Sequence, residues 1–354
     1  MEIYILDQEM NILGAVGMYE AIIWTIRYSK PGRFKMSFAF SSKLNGLLQR
    51  GNLIYKTDET EAGYITGRTL TLNKHGEEII VISGRMMSGY LGKRIIWGKM
   101  ILNGSTEQVM RNMVERQCIN CSDPRRVIPR LILGELKGYS GRISKQVSYE
   151  NLQETLTEVA GKEELGYRVL LDIDRKKLIF DIYRGVDRTQ ESSEPCVFSR
   201  DFNNILTQEY DEDDSNYKNV CLVGGAGEDT DRTLVEVGDA SGLDRNEIFC
   251  NAASLTQGEL TLAEYKNQLS QNGIEKLGGF YIAKAFVSKV AEKISMAYGI
   301  GDYVTCYDAN WGVCINTQIK EIEKGLSRDE KYTICTFGDG VPTLIEKIKI
   351  NQKG

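Results

Sequence analysis

The chain has 354 residues, a size at which a single hydrophobic core usually gives way to two or three domains. Its 42% hydrophobic and 26% charged residues are typical of a globular protein, and no run approaches the roughly 18 apolar residues of a membrane span. The formal charge of −5 argues against a nucleic-acid binder, which usually carries a basic patch. The N-terminus lacks the basic-then-apolar order of a signal peptide, so we expect the chain to fold in the cytoplasm.

Short strands dominate the first hundred residues. Phenylalanine or methionine occupies every second position from 34 to 40, which is the period of a strand with one buried face. The predicted strands are residues 3–6, 12–16, 21–28, 34–40, 53–56, 64–72 and 79–83, with a short helix at 41–49. So many short strands predict a small β-barrel or sandwich, which we assign to a first domain, 1–103.

The composition changes after residue 103, and the next region mixes helices with strands. Apolar residues at helical spacing follow the capping candidates Ser105 and Thr106, and a second helix is predicted at 149–162. Pro124 and Pro129 predict a loop-rich stretch between the two helices, extending to about Gln146. A hairpin of residues 167–172 and 177–183 follows. We therefore expect a mixed α+β middle domain, 104–205.

Strands return in the last region, 206–354, which we predict to be a second β-barrel-like domain. Its predicted strands are residues 219–223, 232–237, 247–250, 283–290, 301–307, 311–316 and 317–322. The helical pattern of 261–276 predicts a helical insertion at about 257–280. The fold class expected for the whole chain is mainly β, with two small β-barrel-like domains and a mixed α/β domain between them.

Two short motifs resemble ligand-binding sequences. Gly224, Gly225 and Gly227 follow an apolar strand, but no helix pattern follows them and the acidic run 228–231 would repel a phosphate, so a hairpin turn is favoured. Cys118 and Cys121 have the spacing of half a zinc site, yet no second such pair lies near them. The eight cysteines instead resemble small buried hydrophobic residues.

Catalytic residue patterns are equally weak. His75 is the single histidine and lies in a predicted hairpin turn without a nearby nucleophile, and nothing selects one carboxylate pair among 49 acidic residues. The acidic run 211–214 lacks the order of a calcium-binding loop and is interpreted as a solvated turn or linker. We therefore assign no catalytic, cofactor-binding or metal-binding residue, expect no cofactor, and predict that the chain is not an enzyme.

Five segments distributed over nearly the whole chain resemble a phage and prophage tail-protein family, the Gp37-like siphovirus tail proteins. These segments are residues 83–97, 183–188, 217–228, 237–245 and 298–304. The family is similar to the baseplate hub proteins of tailed phages. The resemblance implies a homotrimer whose two barrel-like domains per chain build a pseudo-sixfold ring, joining the tail tube to the central spike or tail tip of a phage or tail-like bacteriocin.

The resemblance also implies the partners and the location of the protein. The expected partners are the chain itself, the tail tube protein, distal tail or baseplate proteins, a spike or tail lysin, and the tape measure protein. DNA would at most pass through the lumen without specific binding, and no membrane is involved. The protein would be a virion component of the tail or baseplate, assembled in the host cytoplasm.

Two other functions remain open at this point. A cell-wall hydrolase would need one acid pair in a groove, which the sequence does not identify. A carbohydrate-binding tail adhesin could use Trp24, Trp97 and Trp311 as sugar platforms, but their apolar, strand-like surroundings favour core packing.

Overall fold

A computed structural model of the chain describes residues 2–73, 75–227, 231–292, 296–327 and 330–339. Within these ranges the protein is mainly β with several helices, as predicted from the sequence. Contacts divide the chain into two compact units: the first contains residues 1–208 and 287–337, and the second contains 209–286 and 338–354. No helix of the described residues has the length and apolar composition needed to cross a bilayer.

The elements follow one another closely along the chain. The strands of the first half are β1 (Ile3–Leu6), β2 (Ile12–Val16), β3 (Ala21–Arg27), β4 (Arg33–Ala39), β5 (Leu53–Lys56), β6 (Gly63–Leu72), β7 (Glu78–Met86), β8 (Lys99–Ser105), β9 (Leu131–Leu133), β10 (Arg142–Ser148) and β11 (Gly166–Asp172). Those of the second half are β12 (Lys177–Tyr183), β13 (Asp187–Arg188), β14 (Val197–Phe198), β15 (Ile205–Asp213), β16 (Val220–Gly224), β17 (Leu234–Val237), β18 (Glu247–Asn251), β19 (Ala283–Val290), β20 (Tyr303–Asp308), β21 (Val313–Ser327) and β22 (Lys331–Asp339). The α-helices are α1 (Ser42–Leu47), α2 (Thr106–Val114), α3 (Leu152–Lys162) and α4 (Leu262–Leu277).

Strands from both ends of the chain form one large sheet, whose order is β15-β19-β22-β21-β3-β4-β7-β6-β5-β1-β2. The two ends meet where β3 pairs antiparallel with β21, from Ala21 opposite Ser327 to Arg27 opposite Glu321. Exposed and buried residues alternate along β4. Phe34, Met36 and Phe38 are buried, so the face of the sheet that carries them packs against the core. Strands β13 and β14 extend the sheet by pairing parallel to β20, which pairs with β21.

A ribbon and two helices complete the first unit. Strands β8 and β10 pair antiparallel, and their inward residues Met100, Leu102, Ile143 and Val147 belong to the same buried cluster as residues of α2 and α3. The three-stranded sheet β11-β12-β9 contributes Phe180 to this cluster. The stretch predicted to be loop-rich therefore contains two strands, which corrects the sequence-based expectation.

The second unit is a three-stranded sheet, ordered β17-β16-β18, with α4 against one face. Tyr265 and Leu269 of the helix are buried with Cys221, Val223 and Cys250 of the strands. A capping box begins α4: the Thr261 hydroxyl accepts from the Glu264 N–H, and the Glu264 carboxylate accepts from the Thr261 N–H. The helix predicted at 261–276 is thus confirmed.

None of the sheets in the described part of the chain closes into a barrel, so the predicted barrel-like domains are open sheets here. The reason is that β3 and β21 continue the hydrogen bonding from one set of strands to the other instead of closing each set on itself. The division into domains 1–103, 104–205 and 206–354 stays a prediction, and its first boundary falls within β8.

Candidate functional site

The glycine-rich loop after β16 packs against its own unit. Strands β16 and β17 pair as the predicted hairpin around this loop, of which residues 228–230 lie outside the described ranges. The Arg232 guanidinium donates to the carbonyls of Gly224 and Gly225, and the Ala226 N–H donates to the Tyr265 hydroxyl at 2.8 Å. Among the described residues of the loop, the Gly225 N–H donates to the Thr233 carbonyl and the Ala226 N–H donates to Tyr265, so these two groups are not free to cradle a phosphate.

The cysteine pair has no metal-binding environment. Cys118 is fully buried, and burial raises the pKa of its thiol to about 12, which disfavours the thiolate that metals and redox reactions require. Six of the eight cysteines are buried, and all eight are free thiols. The described residues contain no group of three or more histidine, cysteine, aspartate or glutamate side chains that could hold a metal ion.

The other polar candidates lie at the surface. His75 is exposed in a turn where its backbone N–H donates to the Asn73 side-chain oxygen, while Lys74 lies outside the described residues. The acidic run does not form the expected turn: Asp211 and Asp213 belong to β15, and Glu212 pairs with Lys284 at 2.7 Å. Strand pairing with β19 overrides the low strand propensity of these acidic residues.

The three tryptophans have different environments. Trp24 is buried in β3, as expected for core packing, and stacks on Phe34 with ring centroids 5.5 Å apart. Trp97 and Trp311 are about half exposed, at 57% and 47%, so the core prediction is wrong for these two. Each exposed ring instead lies beneath an arginine: the Arg126 guanidinium is 4.6 Å from the Trp97 ring centroid.

Two of the family-like segments meet around Tyr28, and we call this contact the Tyr28 junction (Tyr28, Gly185, Gly301 and Asp302). The Tyr28 hydroxyl donates to the Glu164 carbonyl at 2.8 Å and accepts from the Gly185 N–H at 3.2 Å. Its pKa is raised to about 12 by burial, so the phenol stays protonated. Gly301 has φ +91, and a Cβ there would overlap the Tyr28 ring. The junction therefore joins the N-terminal, middle and C-terminal parts of the first unit.

Asp302 organises the polar side of the Tyr28 junction. Its carboxylate accepts hydrogen bonds from the Val186 N–H at 2.8 Å, the Gly299 N–H at 2.9 Å and the Arg188 guanidinium at 3.1 Å. Because Asp302 is only 7% exposed, these donors compensate the desolvation of a buried charge. The segments 183–188 and 298–304 thus act as mutual structural supports.

The remaining family-like segments have the same structural character. In segment 83–97, the Tyr90 ring stacks on the ring of Tyr64 of β6 with centroids 4.1 Å apart, and the Lys93 ammonium lies 4.3 Å from the Tyr90 centroid. In the second unit, Asn219 donates to the Asp244 carbonyl at 2.6 Å and accepts from the Asn246 N–H at 2.8 Å. The contacts of the described residues in these segments are thus ring stacking in the first unit and turn hydrogen bonds in the second.

Exposed apolar residues identify three surfaces suited to assembly. The first is the edge strand β2, which pairs only with β1 among the described strands and exposes Ile12 and Leu13, with Met18 89% exposed just beyond it. The second is the outer face of the β8–β10 ribbon, where Ile101 is 70% exposed and Trp97 precedes β8. The third surface, in the second unit, carries exposed residues on the sheet face opposite α4: Leu222, Leu234 and Phe249.

Sequence reasoning missed these surfaces for a physical reason. Exposed apolar residues such as Ile101 look like core residues in a single sequence, because hydrophobicity alone does not tell an interface from an interior. One signal for β2 was present: Ile12 and Leu13 are adjacent and point to opposite faces of the strand, so a strand packed on one face only exposes at least one of them.

The chain matches the Siphovirus ReqiPepy6 Gp37-like protein family over residues 2–339. It belongs to this siphovirus tail-protein family. No curated protein matches the chain at a significant level. The segments recognised in the sequence therefore belong to a family of tail proteins, and the Tyr28 junction lies within the matched range.

Solved structures of other tail proteins share the fold. A tail protein from Neisseria meningitidis MC58 is similar with a TM-score of 0.61 at 14% identity, covering 95% of this chain and 96% of its own. The 43 kDa tail protein of prophage MuSo2 from Shewanella oneidensis has a TM-score of 0.59 at 15% identity, covering 95% and 98%. Prophage tail protein gp18 from Listeria monocytogenes EGD-e has a TM-score of 0.55 at 11% identity, covering 100% and 99%. At these identities the likeness concerns the fold.

Proposed function

We propose that the chain is a structural hub protein of the tail or baseplate of a phage or phage-tail-like particle. Three copies form a ring with pseudo-sixfold symmetry that joins the tail tube to the central spike or tail tip. Membership of a siphovirus tail-protein family over residues 2–339 and a fold shared with other tail proteins support this function. In this proposal each chain supplies two β modules, so that three chains present six similar units to the tube.

The observation that carries the proposal is the free edge of the large sheet. Strand β2 leaves one row of backbone N–H and C=O groups without a described strand partner, and it exposes Ile12 and Leu13 beside that row. An edge of this kind is a template for strand addition, and natural proteins rarely leave one uncovered. A neighbouring copy would cover it within an interface on the order of 2,000 Å² or more, as obligate assemblies do.

Charge supports the passage of DNA through such a ring. Three chains of −5 sum to −15, and an acidic or neutral lumen would keep the phosphate backbone from adhering. The proposed partners are a tail tube protein, distal tail or baseplate proteins, a spike or tail lysin, and a tape measure protein. The role is mechanical, requires no cofactor and involves no catalysis, and assembly takes place in the cytoplasm of the bacterial host.

Light scattering on the purified chain, alone and with a tail tube protein, tests the proposal. We expect three chains per assembly for the native sequence, and Leu13→Lys should prevent this association because it places a charge beside the β2 edge. Leu243→Lys is the matched control, since Leu243 is fully exposed in a short 3-10 helix of the second unit and a lysine there should leave association unchanged. A native chain that stays monomeric under both conditions would contradict the trimer.

A carbohydrate-binding adhesin is the second candidate, and the exposure of Trp97 and Trp311 favours it. A half-exposed indole presents a large apolar face together with a polar N–H, which suits stacking on a sugar ring. Binding of the chain to purified cell-wall polysaccharide, lost in a Trp97→Ala or Trp311→Ala variant, would support this function. Equal binding by both variants and the native chain would exclude these rings as platforms.

A further inference from the structure

The proposed strand contact at β2 uses one of the three exposed apolar surfaces and leaves the other two unused. One of these two is the ribbon surface, defined by four large residues that are between 46% and 70% exposed: Ile95, Trp97, Ile101 and Tyr149. They lie close together, because Ile95 forms a β-bridge with Asn151 and the strand of Ile101 pairs with β10, which ends at Ser148. Clustered exposed apolar residues on a protein surface usually mark an interaction site.

Tyr149 has an uncommon backbone conformation at this surface. Its φ of +56 lies in the left-handed region, which bulky side chains rarely adopt, and its N–H donates to the Ile96 carbonyl at 3.0 Å. The residue is nevertheless 67% exposed, so its ring gains little from burial in the single chain. Residues held in such conformations cluster at binding sites, so Tyr149 indicates that the ribbon surface contacts a partner.

The ribbon surface combines the residue types of interface hot spots with positive charge. Tryptophan, tyrosine and arginine are enriched at hot spots, and the Arg126 guanidinium lies 4.6 Å from the Trp97 ring centroid. Lys99 and Arg142 are exposed in the ribbon strands and form no ion pair with any described residue. Residues 93–151 contain 11 basic and 5 acidic side chains, a formal charge of +6. The surface therefore suits an acidic partner that carries apolar side chains.

The second unit of the chain itself has this composition. We call the sheet face opposite α4 the second-unit face, and its exposed apolar residues are Leu222, Leu234 and Phe249. The two arginines there are already hydrogen-bonded, Arg232 to backbone carbonyls and Arg245 to Glu236 and Glu247. Residues 209–286 contain 15 acidic and 6 basic side chains, a formal charge of −9. This unit is therefore acidic and exposes an apolar face.

We propose that the ribbon surface of one copy packs against the second-unit face of the neighbouring copy. The inference rests on the proposed ring and names a second contact within it, separate from strand addition at β2. Opposite charges attract when these unlike surfaces meet, whereas two ribbon surfaces or two second-unit faces repel each other. A contact between unlike surfaces is head-to-tail, so three copies can close a ring through it, whereas a contact between like surfaces stops at a dimer.

Charged substitutions at the two surfaces, followed by light scattering, test this contact. Ile101→Asp brings a carboxylate to the acidic second unit, and Leu234→Lys brings an ammonium to the basic ribbon. Each should raise the protein concentration needed for half-maximal assembly about tenfold or more. Leu72→Asp and Leu243→Lys, at exposed leucines outside both surfaces, are the matched controls and should assemble as the native chain does.

An equimolar mixture of the two variants gives the decisive result. The Leu234→Lys chain keeps its ribbon surface and the Ile101→Asp chain keeps its second-unit face. The mixture should therefore contain complexes of at least two chains at a concentration where each variant alone is monomeric. If urea denaturation shows that Ile101→Asp does not fold, Gln146→Asp takes its place, because Gln146 is exposed and lies opposite Ile101 in the ribbon.

Two kinds of failure are distinguishable. A mixture that stays monomeric, or native-like assembly by either variant alone, would overturn this contact while the native chain still forms three-chain assemblies. A native chain that stays monomeric with a tail tube protein would contradict the ring, and this contact with it.

Discussion

The two units stabilise their family-like segments in different ways. In the first unit, Gly185 and Gly301 contact Tyr28, which is only 1% exposed, and the buried Asp302 carboxylate holds the neighbouring Val186 N–H. In the second unit, the glycines of the loop after β16 accept hydrogen bonds from Arg232, whose surroundings are partly exposed, and a single helix covers one face of a three-stranded sheet. Similar glycine-rich segments can therefore lie beside a large buried cluster, as in the first unit, or beside a small one, as in the second.

This difference predicts different stabilities. The buried cluster of the first unit draws on strands, a ribbon and two helices, whereas that of the second unit contains six buried residues. Because burial of apolar area supplies most of the stabilising free energy, we expect local opening of the second unit to cost less than that of the first. Substitutions in each unit test this contrast in stability.

Substitution of Gly301 should cause the largest loss of stability. Gly301→Ala places a Cβ at φ +91 and in overlap with the Tyr28 ring, so we expect the free energy of unfolding to fall by about 3 kcal/mol. Gly312→Ala is the matched control, because Gly312 has φ +65 and open space around its Cβ position, and it should cost about 1 kcal/mol. Urea denaturation followed by fluorescence measures both, and equal losses would contradict the packing role of the Tyr28 junction.

Glu61 should make the first unit sensitive to pH. Burial raises the pKa of this carboxyl to about 8, with the nearby Arg168 opposing the shift and Glu59 adding to it. The folded state therefore holds a proton that the unfolded state releases near pH 4.5, so this contribution to stability is lost progressively as the pH rises from 4.5 to about 8. Glu61→Gln should remove this dependence.

Urea denaturation at pH 5 and pH 8 measures the effect of Glu61. Relative to the native chain, the free energy of unfolding of the Glu61→Gln variant should rise by on the order of 2 kcal/mol from pH 5 to pH 8. Glu191→Gln changes an exposed carboxyl and should show no such gain. A Glu61→Gln variant that follows the native chain at both pH values would show that the carboxyl is solvated.

The smallest expected effect concerns Tyr265 in the second unit. Tyr265→Phe removes a hydroxyl that accepts from the Ala226 N–H at 2.8 Å and donates to the Leu255 carbonyl at 2.7 Å, which should cost about 1 kcal/mol. Hydrogen exchange should become faster in β16 and α4 and remain unchanged in β3 and β4. Tyr217→Phe serves as the control. Faster exchange throughout the chain would contradict the separate stability of the two units.

The positions of several short strands were predictable from the sequence. The bounds predicted for β1, β2, β5 and β19 agree with the structure, and β4, which has a strict period of two, is displaced by one residue from its predicted bounds. The helix α4 was predictable because its capping box and apolar spacing agree. Local pattern therefore determines where most elements lie.

Features that depend on distant partners were not predictable. In β10 the buried Ile143 and Val147 are four residues apart, which resembles helical spacing, and the strand forms because β8 pairs with it. The pairing of β3 with β21 joins residues 294 to 306 positions apart, from Arg27 opposite Glu321 to Ala21 opposite Ser327, and no local pattern encodes it. The contact of Tyr28 with Gly185 and Gly301 also joins residues that are far apart in the sequence, so it was not predictable from a local pattern.

The most direct test of the hub proposal is electron microscopy of assembled particles that contain this chain. The proposal predicts three copies in a closed ring around the tail axis at the distal end of the tube, with strand β2 of each copy covered by its neighbour. Six copies per ring, a single copy, or a β2 edge that remains open to solvent in the particle would contradict it.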